Sequence, residues 1–191
     1  MRYEFHSGSR LEEISRQEGL PISEIMLRYE MEKSERTRES IVDEMKLNLS
    51  VMQESIREGL REDKTQRGFF TGEDAAKLMK FAGQSNMGKN LAEVTAAAMA
   101  VVEWNAAMGK IVAAPTAGAS GILPAVLIIC GGQKGFDEDE ICRGLFTAGA
   151  IGRIIAQNAS IAGASGGCQA ETGSAAAMAA GALAELCGAD A

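Results

Sequence analysis

The chain has 191 residues, 46% of them hydrophobic and 24% charged, and a formal net charge of −7. This length and apolar content allow one compact domain with a real core and argue against disorder. The negative charge argues against a nucleic-acid-binding surface and against binding to an anionic membrane. The composition is rich in Ala, Met, Leu and Glu, and few segments alternate apolar and polar residues, so we predict an all-α fold.

Charge is distributed unevenly, with only ten of the Asp, Glu, Lys and Arg residues after position 110. We therefore predict an amphipathic helical extension over residues 1–65 that lies outside a close-packed helical core over residues 66–191. The first helix of the extension is expected to begin at a capping box over residues 9–12, with Ser9 as the N-cap, and to end near Gly19.

A regular apolar seam follows in the extension. Its members recur at spacings of three and four residues, and they are Ile41, Met45, Leu49, Met52, Ile56 and Leu60. The seam predicts one long helix that either lies on the domain with its apolar face inward or pairs with a second copy of the chain. The first use is the commoner one for so short a seam, and a homodimer stays open.

The later helices are marked by capping and breaking residues. A capping signature at residues 71–74 precedes a short helix, and Gly109 ends a long alanine-rich one. Ser120 is expected as the N-cap of a helix that has Pro124 in its first turn. Helices are predicted over residues 75–81, 91–108, 121–130, 138–158 and 168–187.

Two glycine-rich stretches stand before predicted helices, at residues 114–124 (APTAGASGILP) and 158–173 (NASIAGASGGCQAETG). Small residues before a helix leave backbone N–H groups free at its start, where they can hold an anion. In the first stretch, Thr116, Gly118, Ser120 and Gly121 are therefore candidates to bind a carboxylate or a phosphate. The alternative is a tight connection between helices that needs glycine for steric reasons.

Cys168 lies in the second stretch, at the expected first turn of its helix. A helix N-terminus favours thiolate, which is the form that binds metal, although a buried structural cysteine is an equally good interpretation of the residue alone. Cys130, Cys142 and Cys187 lack that context and are interpreted as structural thiols.

Four polar residues of the second stretch lie in a segment that otherwise looks built for burial, and they are Ser160, Ser165, Gln169 and Glu171. Buried polar groups need partners. Glu171 is the most suggestive of the four, because a carboxylate near an apolar helix start is seldom accidental; its alternative role is to cap the helix dipole.

The histidine and cysteine content limits the catalytic and metal sites that the chain can form. His6 is the single histidine, so a Ser-His-Asp triad and a histidine-based zinc site are excluded. Four cysteines without a CxxC pair, after a polar amino-terminal segment, predict that the protein is located in a reducing cytoplasm.

The uncharged stretch over residues 111–133 is long enough to span a bilayer. Its prolines, glycines and hydroxyl groups favour a buried protein segment, so we expect no membrane span.

With its two glycine motifs in this order, the chain strongly resembles the iron–sulfur L-serine dehydratases, and in particular the alpha chain of the two-subunit bacterial form. The resemblance implies a hydro-lyase that converts L-serine to pyruvate and ammonia with the Lewis-acid iron of a 4Fe–4S cluster. It matches Cys168 to one of three cluster cysteines. It matches a loop to a segment that lines the substrate site, namely Thr116, Ala117, Gly118, Ser120 and Gly121. It assigns no residue here as the base that removes the Cα proton.

The chain also differs from the family pattern in the segments that it lacks. Family alpha chains continue into a segment with a His-Asn pair and two further cluster cysteines, which these 191 residues lack, as they lack the companion beta region. The resemblance therefore implies a C-terminally incomplete subunit that needs a beta chain and is inactive alone. Two alternatives remain: a helical assembly module without activity, and a pyridoxal-phosphate-dependent lyase that uses Lys89 or Lys110.

Overall fold

The computed structural model describes residues 1–62 and 72–191. Regular structure in these residues is helical and contains no strand, which confirms the all-α prediction. A 3₁₀ turn spans Ala82–Gln84, and a π-helical turn spans Ala125–Cys130. The helices are α1 (Gly8–Glu18), α2 (Ile22–Ser34), α3 (Arg38–Gly59), α4 (Asp74–Phe81), α5 (Lys89–Ala106), α6 (Ile122–Pro124), α7 (Gly131–Lys134), α8 (Glu138–Asn158) and α9 (Gly163–Leu186).

The first three helices pack directly against the later ones. Leu49 and Met52 of α3 share a core cluster with Met178 of α9. Tyr29 of α2 lies in a second cluster with Phe146 of α8. The prediction that the amino-terminal helices lie outside the core is therefore wrong, because their charge marks only their solvent faces. The predicted domain boundary after residue 65 lies outside the described residues and stays a prediction.

The apolar seam of α3 faces the interior of this chain. Ile41, Leu49, Met52 and Ile56 are buried, and the other two seam residues are partly buried. Leu47, one of the off-seam residues, is 67% exposed. The structure therefore confirms the inward-facing interpretation of the seam, and its four buried side chains are not free to pair with a second copy.

Helix ends agree with the sequence where a cap is built into it. Helix α8 begins with a capping box between Asp137 and Glu140, and α1 ends at Gly19, whose φ is 64°. Ser9 is not the N-cap of α1, because the Ser7 hydroxyl accepts a hydrogen bond from the Arg10 N–H at 3.2 Å. Helix α1 therefore begins after Ser7, two residues earlier than the sequence predicts.

Helix α4 begins at a contact with α5. Thr71 of the predicted capping signature lies outside the described residues. Instead, the Glu103 carboxylate of α5 accepts hydrogen bonds from the N–H groups of Asp74 and Ala75 at 3.1 and 3.0 Å. A carboxylate at these otherwise free donors fixes the start of α4 against α5.

Helices α8 and α9 pack closely because small residues face the contact. A Cβ on Gly181 would lie 2.2 Å from Ile151 Cδ1, and a Cβ on Gly152 would lie 2.9 Å from Met178 Sδ. The second glycine-rich stretch joins the two helices and includes the start of α9.

No helix in the described part of the chain is long and apolar enough to cross a membrane. The uncharged stretch over residues 111–133 is divided between a loop, α6, the π-helical turn and part of α7. The predicted helix over residues 121–130 therefore continues to Lys134, and its end lies at Gly135 in a left-handed conformation with a φ of 82°.

Candidate functional site

The first glycine-rich stretch forms the loop that leads from α5 into α6. The loop folds on itself, with the Ala114 N–H donating to the Thr116 carbonyl at 3.3 Å. The buried Ser120 hydroxyl donates to the Ala117 carbonyl at 2.8 Å, so Ser120 is not the helix N-cap that the sequence predicts. Gly121 occupies the cap position, and Pro124 lies in the first turn as expected.

Three successive backbone N–H groups in this loop have no hydrogen-bond acceptor in the described part of the chain. Within the described residues, the N–H groups of Ala117, Gly118 and Ala119 donate to no protein acceptor. Ala117 and Gly118 are exposed. Successive free N–H groups can bind an anion, so the loop has the chemistry that a carboxylate site needs.

The hydroxyl of Thr116 is a second unsatisfied group in the same loop. Its Oγ1 atom is buried and has no hydrogen-bond partner among the described residues. A buried hydroxyl without a partner is uncommon and costs free energy. Three successive N–H groups and one hydroxyl of this loop thus have no hydrogen-bond partner among the described residues.

Gly121 has a packing role in addition to any binding role. It is buried, and a Cβ at this position would lie 2.3 Å from the Ala98 carbonyl oxygen of α5. Only glycine allows the loop and α5 to approach so closely. Ser120 and Gly121 thus lie inside the molecule while Ala117 and Gly118 lie at its surface, and the binding roles of all four stay predictions.

Helix α9 is broken near its start at Gly167, where φ is 75° and ψ is 172°. Cys168 is the first residue after the break, so it opens the main segment of the helix as the sequence predicts. Its side chain is exposed, and the Thr172 hydroxyl donates to its carbonyl at 3.0 Å. An exposed thiol at a helix start is accessible to a metal.

The Glu171 carboxylate brings the two glycine-rich stretches together. Its Oε2 atom lies 3.0 Å from the position of a Cβ on Gly118 and 2.7 Å from that of a Cβ on Gly163. Because Cys168 and Glu171 are three residues apart, they share one face of α9. Sequence reasoning singled out Glu171 but did not predict this contact, since nothing in the spacing places residue 118 beside residue 171.

The other polar residues of the second stretch are at the surface. Ser160, Ser165 and Gln169 are exposed, so the predicted burial of this segment is wrong. The hydroxyls of Ser160 and Ser165 are hydrogen-bonded to each other, and the Ser165 N–H donates to the Ala162 carbonyl at 3.1 Å. These bonds hold the turn that precedes Gly167.

The remaining cysteines differ from Cys168 in their surroundings. Cys142 is buried, which raises the pKa of its thiol to about 11, and burial also raises the pKa of the half-buried Cys130. Cys187 is exposed at the end of α9. Within residues 1–62 and 72–191, no three side chains of His, Cys, Asp or Glu lie together as a metal ion would require. This part of the chain therefore offers Cys168 as a single ligand and does not by itself fit a complete 4Fe–4S cluster.

The two candidate lysines have ordinary surface settings. Lys89 is exposed at the start of α5, with its Nζ 3.7 Å from the Glu93 carboxylate. Lys110 is also exposed. A Schiff-base lysine is typically desolvated or set beside another cation, and neither residue has a buried setting that would support this role.

The described residues thus form an α-helical domain with a loop of free N–H groups, a carboxylate beside that loop and an exposed thiol at a helix start. The family model described as serine dehydratase alpha chain matches residues 17–191. The chain belongs to that family.

Individual relatives agree with this assignment. The chain is 43% identical over 186 residues to a probable L-serine dehydratase, alpha chain, of Bacillus subtilis, covering 96% of this chain and 62% of that protein. It is 41% identical over 179 residues to the L-serine dehydratase, alpha chain, of Peptoniphilus asaccharolyticus, covering 92% and 61%. It is 42% identical over 192 residues to an L-serine dehydratase of Streptomyces coelicolor, covering 98% and 42%. The chain thus spans about three-fifths or less of the length of these relatives.

Proposed function

We propose that this chain is part of the catalytic subunit of an L-serine dehydratase, which converts L-serine to pyruvate and ammonia. The observation that carries the proposal is the row of unpaired N–H groups at Ala117, Gly118 and Ala119, of which the first two residues are exposed. This row lies beside the Glu171 carboxylate of α9. Helix α9 also carries Cys168, one turn before Glu171. Free donors for a substrate carboxylate and a metal-ready thiol are thus carried by neighbouring segments.

The proposed cofactor is a 4Fe–4S cluster, with Cys168 as one ligand. Such a cluster, when bound, supplies a Lewis-acid iron that makes the serine hydroxyl a better leaving group. Since the described residues offer one ligand, the proposal places the others in the part of the relatives that this chain does not cover. A beta chain is the proposed partner, and a cytoplasmic location accords with the four free cysteines.

The residues of this chain would bind and orient the substrate. The free N–H groups of the loop would hold the α-carboxylate of L-serine, which fixes the direction of its Cα–H and Cβ–O bonds. Loss of the Cα proton and the hydroxyl gives aminoacrylate and water. Aminoacrylate tautomerises to an imine that water hydrolyses to pyruvate and ammonia, so the net reaction needs no oxidant.

The test is anaerobic reconstitution of the full-length enzyme with its beta chain, iron and sulfide. Pyruvate and ammonia should form in equal amounts from L-serine, and only in samples that contain iron. A complex that assembles and binds iron without turnover would favour the assembly-module alternative. Activity that depends on added pyridoxal phosphate instead of iron would favour the lyase alternative.

A further inference from the structure

The Glu171 carboxylate has no partner within the part of the chain that the structure describes. No described Lys or Arg forms an ion pair with it, and no described N–H or O–H donates to it. By contrast, Glu185 on the same helix accepts hydrogen bonds from the Thr147 hydroxyl at 2.9 Å and from the Ser23 N–H at 3.3 Å. A partly buried carboxylate that no described group pairs with is free to accept hydrogen bonds from a donor that arrives from outside.

Glu171 does not act as a helix cap. The helix break at Gly167 and the start of the main segment at Cys168 place Glu171 beyond the first turn, and no described backbone N–H donates to its carboxylate. The capping alternative is therefore not supported. Its carboxylate is instead directed across to Gly118, 3.0 Å from the position of a Cβ there.

We propose that Glu171 binds the α-ammonium group of the substrate and makes the site selective for an amino acid over the matching hydroxy acid. The inference rests on the proposed serine dehydration and adds to it a residue for substrate selection. The geometry behind it is the placement of one free carboxylate beside the free N–H row of Ala117, Gly118 and Ala119.

The chemistry of an α-amino acid explains this placement. Its ammonium and carboxylate groups are attached to one carbon, so their binding groups must be neighbours. The N–H row suits the carboxylate, and the Glu171 carboxylate suits the ammonium. Without an ammonium group between them, Glu171 and the substrate carboxylate would repel each other, which disfavours a simple anion.

Glycine at both contact positions is consistent with this role. A side chain at Gly118 or Gly163 would occupy the space that the Glu171 carboxylate takes, because the Cβ positions lie 3.0 and 2.7 Å from Oε2. One glycine from each glycine-rich stretch thus leaves space for the Glu171 carboxylate. The Thr116 hydroxyl, which also has no partner among the described residues, lies two residues before Gly118 in the same loop.

The experiment uses the assembled, iron-loaded enzyme and compares L-serine with L-glycerate, which has a hydroxyl in place of the ammonium group. The variants are Glu171→Gln, which removes the charge, and Glu171→Asp, which keeps it. Glu185→Gln is the matched control on the same helix, and it should lower the melting temperature without changing the ratio of the two affinities. Affinities are measured by calorimetry and by inhibition of serine turnover, with iron content checked in each sample.

Glu171→Gln should weaken L-serine binding by roughly tenfold or more, because a charge-assisted contact is lost. It should leave L-glycerate binding unchanged or make it tighter, and Glu171→Asp should recover part of the serine affinity. Equal weakening of both ligands, or no change in either, would overturn the inference. Failure of the proposed function is a separate result, since it appears as absent serine turnover in the unmodified enzyme.

Discussion

The Glu171 carboxylate and the backbone of Gly163 are in such close contact that a Cβ on Gly163 would lie 2.7 Å from Oε2. This distance is shorter than real side chains tolerate, so the glycine and the carboxylate depend on each other. The start of α9 therefore positions its own carboxylate through a residue eight positions earlier in the chain.

Gly163→Ala should move the Glu171 carboxylate and reduce serine turnover. Because the carboxylate is the end of a flexible side chain, the protein should stay folded, while the displacement lowers kcat/KM by roughly tenfold or more. The matched control is Gly173→Ala on the same helix, where a Cβ would meet no atom within 4 Å. It should keep full activity and gain up to about 1 kcal/mol in stability. Equal activities for the two variants would show that the Gly163 contact has no role in the site.

Gly121→Ala should destabilise the fold, because its Cβ would lie 2.3 Å from the Ala98 carbonyl oxygen, a backbone atom that cannot turn aside. The expected cost is about 1–3 kcal/mol in the free energy of unfolding. Gly132→Ala is the control, since a Cβ there would meet nothing within 4 Å. Urea unfolding measures both, and an unchanged midpoint for Gly121→Ala would contradict the close approach of α5 to the loop.

Leu49→Ala should test which way the seam of α3 faces. Leu49 is 2% exposed and Leu47 is 67% exposed, although both lie on the same helix. Leu49→Ala should cost about 2–5 kcal/mol of stability, whereas Leu47→Ala should stay within about 0.5 kcal/mol. Neither substitution should change the sedimentation coefficient. A change of oligomeric state caused by Leu49→Ala, without loss of stability, would instead indicate that the seam lies between two copies.

Cys142 should make stability fall in alkaline solution. Burial raises the pKa of its thiol from 9.0 to about 11, so the folded state keeps the proton that the unfolded state has lost. The stabilisation is complete below pH 9 and is lost as the pH rises towards 11. The loss should reach about 2 kcal/mol by pH 11. Cys142→Ala should remove this component, so the difference between the two unfolding free energies is compared at pH 8 and pH 11. A difference that does not vary with pH would contradict a buried thiol.

Much of the helical framework follows from local signals in the sequence. Helix α8 has the predicted bounds because Asp137 and Glu140 form a capping box whose members are near in sequence. The start of α1 lies two residues before the predicted one, because Ser7 and Ser9 are both competent caps and only the folded chain selects one. The charge of the first three helices does not indicate separation from the core, since composition averages over the polar and apolar faces of a helix.

The candidate site was predictable only in part. The sequence marked the loop at Gly118 and the helix start at Cys168, because glycine and small residues before an apolar run have a local meaning. The contact of Glu171 with Gly118 depends on how α9 lies beside the loop, and no local pattern encodes that. Ser120 was predicted as a cap because of its type, but its burial turns the hydroxyl to the Ala117 carbonyl.

The proposed function depends most on the role of Cys168, and Cys168→Ser in the assembled enzyme tests that role. The exposed thiol at a helix start is the proposed cluster ligand, and a hydroxyl in its place binds iron poorly. Cys130→Ser is the control, because this half-buried thiol has a raised pKa and packs as an uncharged group, so it should affect mainly stability.

The decisive measurement is iron content together with pyruvate formation in anaerobically reconstituted Cys168→Ser, Cys130→Ser and unmodified enzyme. Cys168→Ser should lose both the cluster and serine dehydration, while Cys130→Ser retains both. Full activity with iron retained in Cys168→Ser would contradict a ligand role for Cys168.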